Sequence, residues 1–287
     1  MINVSIIGPG LLGGSVALAC KDLPNVENIA LWARRPEAIE ELRELNIANV
    51  VSGDLNEIIR KSDLIVFATP VGAVEKILYQ ILPLAKRGAV ITDLCSVKSS
   101  VVNLIDEAIL KADRGDLKYV GAHPMAGAEV SGFTNARADL FLGAVCAITP
   151  GKTSSKDAEI LVTDFWESLG CKCLVVEPGL HDEMVAKVSH LPHIIASALS
   201  CNSLEDQNGE AQLAGPGIKG MTRIALGSPN MWVEILFQNK ECVERALEEH
   251  VDLINDLLKN LKDGKQEELL DFLVSGRQNR LKCFPSD

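Results

Sequence analysis

Four short stretches of this chain carry residues of the right type and spacing for chemistry. Gly8-Pro9-Gly10-Leu11-Leu12-Gly13 is a G-x-G-x-x-G turn. In such a turn the first glycine permits a tight bend and the second lets the backbone approach a pyrophosphate. The third lets a helix pack closely on a strand, and the helix N-terminus, here opening at Leu11 and Leu12, faces the phosphates. Thr92-Asp93-Leu94-Cys95-Ser96-Val97-Lys98 offers a hydroxyl at Ser96 and an amine at Lys98. Gly121-Ala122-His123-Pro124-Met125-Ala126-Gly127-Ala128-Glu129 offers an imidazole at His123, a group that titrates near neutrality and suits proton transfer. Ala68-Thr69-Pro70-Val71 closes a further apolar run and puts Thr69 and Pro70 on the cofactor's side of the crevice.

A dinucleotide site that prefers NAD places Asp or Glu roughly 20 residues beyond its glycines, where the carboxylate holds the ribose 2′-hydroxyl. This chain has Ala33 at that point, followed by Arg34 and Arg35. A carboxylate would repel a 2′-phosphate, whereas a guanidinium pairs with it, so NADP is expected over NAD. If the two arginines are only solvated loop charges, either cofactor binds.

These residues need strand ends to position them, and the first half of the chain supplies strands. Apolar runs of strand length cover Ile2 to Ile7, Asn28 to Ala33, Leu64 to Ala68, Ala89 to Leu94, Lys118 to Ala122, Ala144 to Thr149 and Cys171 to Val176. Helical periodicity lies between them over Leu11 to Cys20, Pro36 to Leu45, Val71 to Leu82, Val97 to Lys111 and Ser155 to Leu169. Runs that are apolar on both faces, alternating with amphipathic helices, predict an α/β fold with a mostly parallel Rossmann-type sheet. Ligands bind such sheets at the carboxyl ends of the strands, where Thr69, Ser96 and His123 all fall. After Glu177-Pro178-Gly179 only helical segments follow: Leu180 to Leu204, Gly215 to Leu226, Asn230 to Leu261 and Lys265 to Lys282. The expected domains are therefore 1–177, dinucleotide-binding, and 178–287, an all-helical domain that binds substrate and pairs two copies of the chain.

Composition narrows the partners. A net charge of -11 over 287 residues argues against nucleic acid and anionic membranes. It leaves room for an anionic small molecule held by a local cation. The run from Val4 to Cys20 superficially resembles a secretion signal, yet Met1-Ile2-Asn3 has no basic leading region. Eight cysteines lack the paired spacing of a zinc site or a disulfide framework and read as reduced, apolar fillers of a cytoplasmic protein. His190 and His193 lie three apart, but no carboxylate or cysteine at ligand spacing completes a metal site, and His190 is expected to be structural.

Taken together, the glycine turn, the Ser96-Val97-Lys98 and His123-Pro124-Met125-Ala126-Gly127 segments, His181-Asp182, and Ser189-His190-Leu191-Pro192-His193 resemble the prephenate/arogenate dehydrogenase family of tyrosine biosynthesis. Met221-Thr222-Arg223-Ile224-Ala225 and Met231-Trp232 extend the resemblance over almost the whole chain. It implies oxidative decarboxylation of a cyclohexadienol, with hydride passing to the nicotinamide, carbon dioxide leaving the ring, and aromatisation driving the reaction. By the same resemblance His123 accepts the hydroxyl proton, Ser96 bonds that hydroxyl and orients His123, and Arg223 grips the ring carboxylate. His193 holds the substrate, Trp232 walls the pocket, and Glu129 belongs to the substrate site. The family commonly has Thr where this chain has Ala128, so this chain lacks that hydroxyl next to Glu129. The chain ends soon after the helical part, so neither a fused mutase nor a regulatory domain is expected.

Local alternatives remain at this level. Ser96 equally suits a cap for the helix beginning at Val97, Arg223 a surface ion pair, and Trp232 plain core. A β-hydroxyacid or imine oxidoreductase on the same plan is the alternative; β-hydroxyacid dehydrogenases rely on a Lys of the helical part, for which Lys187 stands one turn before His190. A non-catalytic nucleotide-binding regulator would leave the His and Arg segments without a purpose.

Overall fold

The computed structural model describes residues 1–127, 130, 132–205 and 209–285. β1 (Ile2–Ile7) is an apolar run that ends on Gly8, whose positive φ turns the chain into α1 (Leu11–Cys20). Then follow β2 (Val26–Trp32), α2 (Pro36–Glu44), β3 (Val50–Ser52), α3 (Leu55–Ile59), β4 (Leu64–Phe67), α4 (Val71–Ile81), β5 (Val90–Asp93) and α5 (Ser99–Lys111). β6 (Lys118–Pro124), β7 (Val145–Pro150), α6 (Lys156–Ser168) and β8 (Lys172–Val175) complete the alternation. β3 and α3 leave no periodic signal in the sequence, because three and five residues are too few to display one. The signal that was present is Asp54, whose carboxylate caps α3 by accepting from Asn56 N at 2.8 Å.

One eight-stranded sheet forms in the order β3-β2-β1-β4-β5-β6-β7-β8. Every neighbouring pair is parallel except β6 with β7. All four residues of β4 are buried, so the sheet must be covered on both faces. On one face α4 does this with Val74, Ile77, Leu78 and Ile81, a spacing that makes one stripe of the helix. The chain runs outward from β1 through β2 to β3, then returns to β4 on the other side of β1. This reversal opens a crevice beyond the carboxyl ends of β1 and β4, where open α/β sheets bind ligands.

The remaining elements are α7 (Pro178–Val185), α8 (Leu191–Leu204), α9 (Pro216–Thr222), α10 (Pro229–Gln238), α11 (Lys240–Lys262) and α12 (Gln266–Cys283). Two expected helices are broken. Pro192 has no N–H to give to the helical ladder, and the chain widens into a π turn over Ala186–His190, where Leu191 N reaches back to Ala186 O. The second break is at Asn239, whose backbone leaves the helical region between α10 and α11.

The chain divides into two compact units, Met1–Asn239 and Lys240–Asp287. Helices α7 to α10 thus belong to the same unit as the sheet. In the second unit α11 and α12 pack on each other. Val251, Ile254, Leu258 and Leu261 form an exposed stripe on α11, and Leu270, Leu273 and Val274 are exposed on α12. Among the described residues no helix is long and apolar enough to cross a membrane.

Candidate active site

The glycine turn is built as a cradle. Gly8 has φ 98°, and a Cβ there would stand 2.7 Å from Thr69 Cγ2. A Cβ on Gly13 would meet Gly8 O at 2.2 Å and Ala68 Cβ at 2.9 Å, so α1 sits directly on the ends of β1 and β4. Around Gly10, by contrast, nothing among the described residues lies within 4 Å of the Cβ position. The open face is therefore at the second glycine, where α1 begins with no side-chain cap and no acidic residue in its first turn. Leu11 and Leu12 turn their side chains toward the core and leave the backbone to face the opening. Thr69 Oγ1 is buried beside the turn without a hydrogen-bond partner among the described residues, and Pro70 is the N-cap of α4. Ala33 is buried where β2 ends, and Arg34 and Arg35 are exposed beyond it. An open helix N-terminus, a cradle that side chains would fill and an orphaned hydroxyl fit the diphosphate and ribose of a dinucleotide.

At the end of β6 a chain of hydrogen bonds runs inward from His123. His123 Nδ1 is 2.9 Å from His181 Nε2, and His181 Nδ1 is 2.8 Å from Asp182 Oδ1. All three residues are buried. Asp182 belongs to α7, and its carboxylate also accepts from the first free N–H groups of α5: Lys98 N on Oδ1 and Ser99 N on Oδ2, each at 2.8 Å. Burial pushes the Asp182 carboxyl upward, but the bonds from His181, Ser99 and Lys98 outweigh it and hold the group below its ordinary range. The direction of the chain follows. An ionised carboxylate only accepts, so His181 carries its proton on Nδ1. With that proton on Nδ1, the bare Nε2 of His181 accepts from His123 Nδ1. That leaves a lone pair on His123 Nε2, the arrangement a general base needs.

α8 and α10 carry the two rings expected from sequence to wall the substrate pocket. His193 stacks on Trp232 with ring centroids 3.6 Å apart and planes 10° from parallel. Gly227 makes room for the stack, because a Cβ there would lie 2.5 Å from Trp232 Nε1 and 3.3 Å from His193 Cε1. Gly227 has φ -57°, an ordinary backbone, so the demand for glycine is purely steric. Gly227→Ala is expected to displace the indole and to raise the substrate KM about tenfold, since displacements of ~1 Å can cost more than that. The cofactor KM should stay where it was; an unchanged substrate KM in steady-state kinetics would count against this wall. Arg223 starts the short 3-10 turn, Arg223–Leu226, which packs on α8 and leads into Gly227.

Several sequence-predicted residues land differently from expectation. Lys98 does not line the crevice. It is fully buried, and its Nζ bonds both Asp93 oxygens at 2.6 and 2.7 Å and Ala122 O at 2.7 Å. Ser96 follows β5 at the carboxyl edge, half-buried, and makes no hydrogen bond among the described residues. It does not cap a helix either, because α5 begins only at Ser99 and Asp182 supplies the cap. His123 is instead oriented by His181, which together with Asp182 and Gly227 was not assigned a role from sequence. Lys187 is exposed on the π turn, one turn before the buried His190. Glu129 lies outside the described residues.

A family model described as the nucleotide-binding domain of prephenate dehydrogenase matches residues 16–175. A second, described as the prephenate dehydrogenase dimerization domain, matches residues 177–275. The crystal structure of prephenate dehydrogenase from A. aeolicus, in complex with hydroxyphenyl propionate and NAD+, is 30% identical with a TM-score of 0.89 over 99% of this chain and 98% of that one. Cyclohexadienyl dehydrogenase of Zymomonas mobilis is 26% identical over 97% of this chain and 95% of its own length. Prephenate dehydrogenase of Bacillus subtilis is 28% identical over 97% of this chain and 75% of its own.

Proposed function

The chain belongs to the prephenate dehydrogenase family, and from that premise we propose that it oxidatively decarboxylates a cyclohexadienol acid, prephenate or arogenate, at the crevice bearing His123. The observation that carries this reading is the His123–His181–Asp182 chain, which leaves one unprotonated imidazole nitrogen at a strand end on the cofactor's edge of the sheet.

His123 Nε2 takes the proton of the ring hydroxyl. As it does so, its Nδ1 proton is free to pass to His181 Nε2, which leaves the positive charge against the Asp182 carboxylate rather than alone in a buried site. Ser96, at the end of the neighbouring strand, gives the same hydroxyl a second partner. Arg223 faces the ring carboxylate until it departs as carbon dioxide, and the Trp232–His193 stack flanks the ring. Glu129 stays a candidate for the substrate site on the family pattern alone. A bound nicotinamide, held by the Gly8–Gly13 turn with Thr69 and Pro70, supplies the hydride acceptor.

NADP is the preferred cofactor in this proposal, because Ala33 offers no carboxylate to a 2′-phosphate while exposed Arg34 and Arg35 offer guanidinium groups. The apolar stripe on α11 suits pairing with a second copy, since exposed patches of this kind mark contact surfaces. Pro178 remains the proposed border between the dinucleotide-binding part and the helical part.

The deciding assay follows cofactor reduction with prephenate and with arogenate, each with NAD and NADP. Turnover of at least one acid is expected, with a higher kcat/KM for NADP. No reduction in any of the four mixtures would sink the activity, and a preference for NAD would sink only the cofactor choice.

A further inference from the structure

Asp182 governs a second histidine through its backbone. Asn239 is 5% exposed, and its Nδ2 donates to the carbonyl of Asp182 at 2.8 Å. A carbonyl only accepts, so this contact fixes which end of the carboxamide is the nitrogen. The same Nδ2 stands 3.2 Å from Nδ1 of His190. A nitrogen bearing two hydrogens requires an acceptor there, so Nδ1 of His190 is bare and the proton sits on Nε2. That Nε2 is buried and has no partner among the described residues.

An N–H kept from water without an acceptor costs about 1–3 kcal/mol, and a fold retains one where something else supplies the acceptor. His190 is 1% exposed, closes the π turn and meets Trp232 edge-on with centroids 6.0 Å apart. It therefore stands in the wall that carries the His193–Trp232 stack, while the nitrogens joining His123 and His181 are spent on each other and on Asp182. Burial pushes the His190 imidazole down to about 4, so near neutrality it is an uncharged donor.

We propose that His190 is a substrate-binding residue whose Nε2–H donates to a carboxylate oxygen of the cyclohexadienyl acid, with Asn239 as the positioning residue that fixes this tautomer. The proposal rests on the function proposed above. It gives the site a proton acceptor at His123 and a neutral donor at His190, both set by Asp182.

The test compares the full-length protein with His190→Leu and His190→Gln. Kinetics use prephenate, and calorimetry uses hydroxyphenyl propionate, which lacks the ring carboxylate. His190→Leu should raise the prephenate KM about tenfold or more, the loss expected for one hydrogen bond to a charged group, with the cofactor KM unchanged. His190→Gln, whose amide nitrogen can reach the place of Nε2, should recover most of that loss. Weaker hydroxyphenyl propionate binding in His190→Leu would assign the contact to the side-chain carboxylate. A loss confined to prephenate would assign it to the ring carboxylate. Equal KM values in all three proteins, or equal losses in both variants, would overturn the proposal. Nitrogen-15 NMR of the unaltered protein reads the tautomer directly and needs no variant to fold: Nε2–H is required, and Nδ1–H overturns it. Wild-type inactivity toward both acids would fault the proposed function instead, leaving the tautomer measurement still informative.

Discussion

His123→Asn is expected to lower kcat by roughly 10²–10⁴-fold, the range for removing a positioned general base, while cofactor affinity stays nearly constant. The asparagine amide can still donate toward His181, but nothing then occupies the place of Nε2. The wild-type pH profile should carry the same signature. Burial first, and then the neighbouring His181, Lys98 and His190, hold the His123 imidazole well below its ordinary value of 6.5. The base must be unprotonated, so kcat/KM should hold as pH falls to 6.5 and decline only below it. His123→Asn should lose that acidic limb together with its rate. A variant retaining a tenth of wild-type kcat, or a wild-type limb centred above pH 7, would remove His123 from the chemistry.

Lys98→Met should be the most destabilising single change near the site. Lys98 and Asp93 are both fully inaccessible, and the ammonium makes three bonds at 2.6 to 2.7 Å. Removing it leaves the Asp93 carboxylate buried with no cation against it, still accepting from Ala122 N at 3.0 Å. Breaking a buried pair from one side costs about 3–5 kcal/mol, a large share of the roughly 5–15 kcal/mol that stabilises a typical domain. Thermal denaturation should show a Tm lower by about 10 °C. The double change Asp93→Asn with Lys98→Met should recover much of it, because no charge is then stranded. A fall of less than about 3 °C for the single change would mean that the pair is not the buried brace described. Activity should suffer as well, since Lys98 fastens Ala122, the residue next to His123.

The sequence alone determined the parts of this protein that depend on near neighbours. A run such as Leu64-Ile65-Val66-Phe67, set among alternating amphipathic helices, reads as a strand covered on both faces, and Gly8 with Gly13 between strand and helix reads as a tight turn, as the structure has them. Strand, turn and helix are set by interactions within about four residues, so their order, and with it the crevice edge carrying Thr69, Ser96 and His123, was legible. Short β3 escaped because three residues show no period, and the break at Asn239 escaped because nothing local marks it.

Tertiary structure decided what each polar side chain does. Lys98 reads as a crevice amine until the fold sets Asp93 against it inside the core. His123 gains its orientation from His181, 58 residues away, and α5 gains its cap from Asp182, 84 residues from Lys98. Such pairings depend on how α7 docks against the start of α5. The chain signals that docking only through two adjacent letters, His181-Asp182, with no spacing to interpret. The proton positions on His123 and His190 follow from those contacts and from Asn239, because a hydrogen-bond network assigns donors and acceptors only when all of its members are in place.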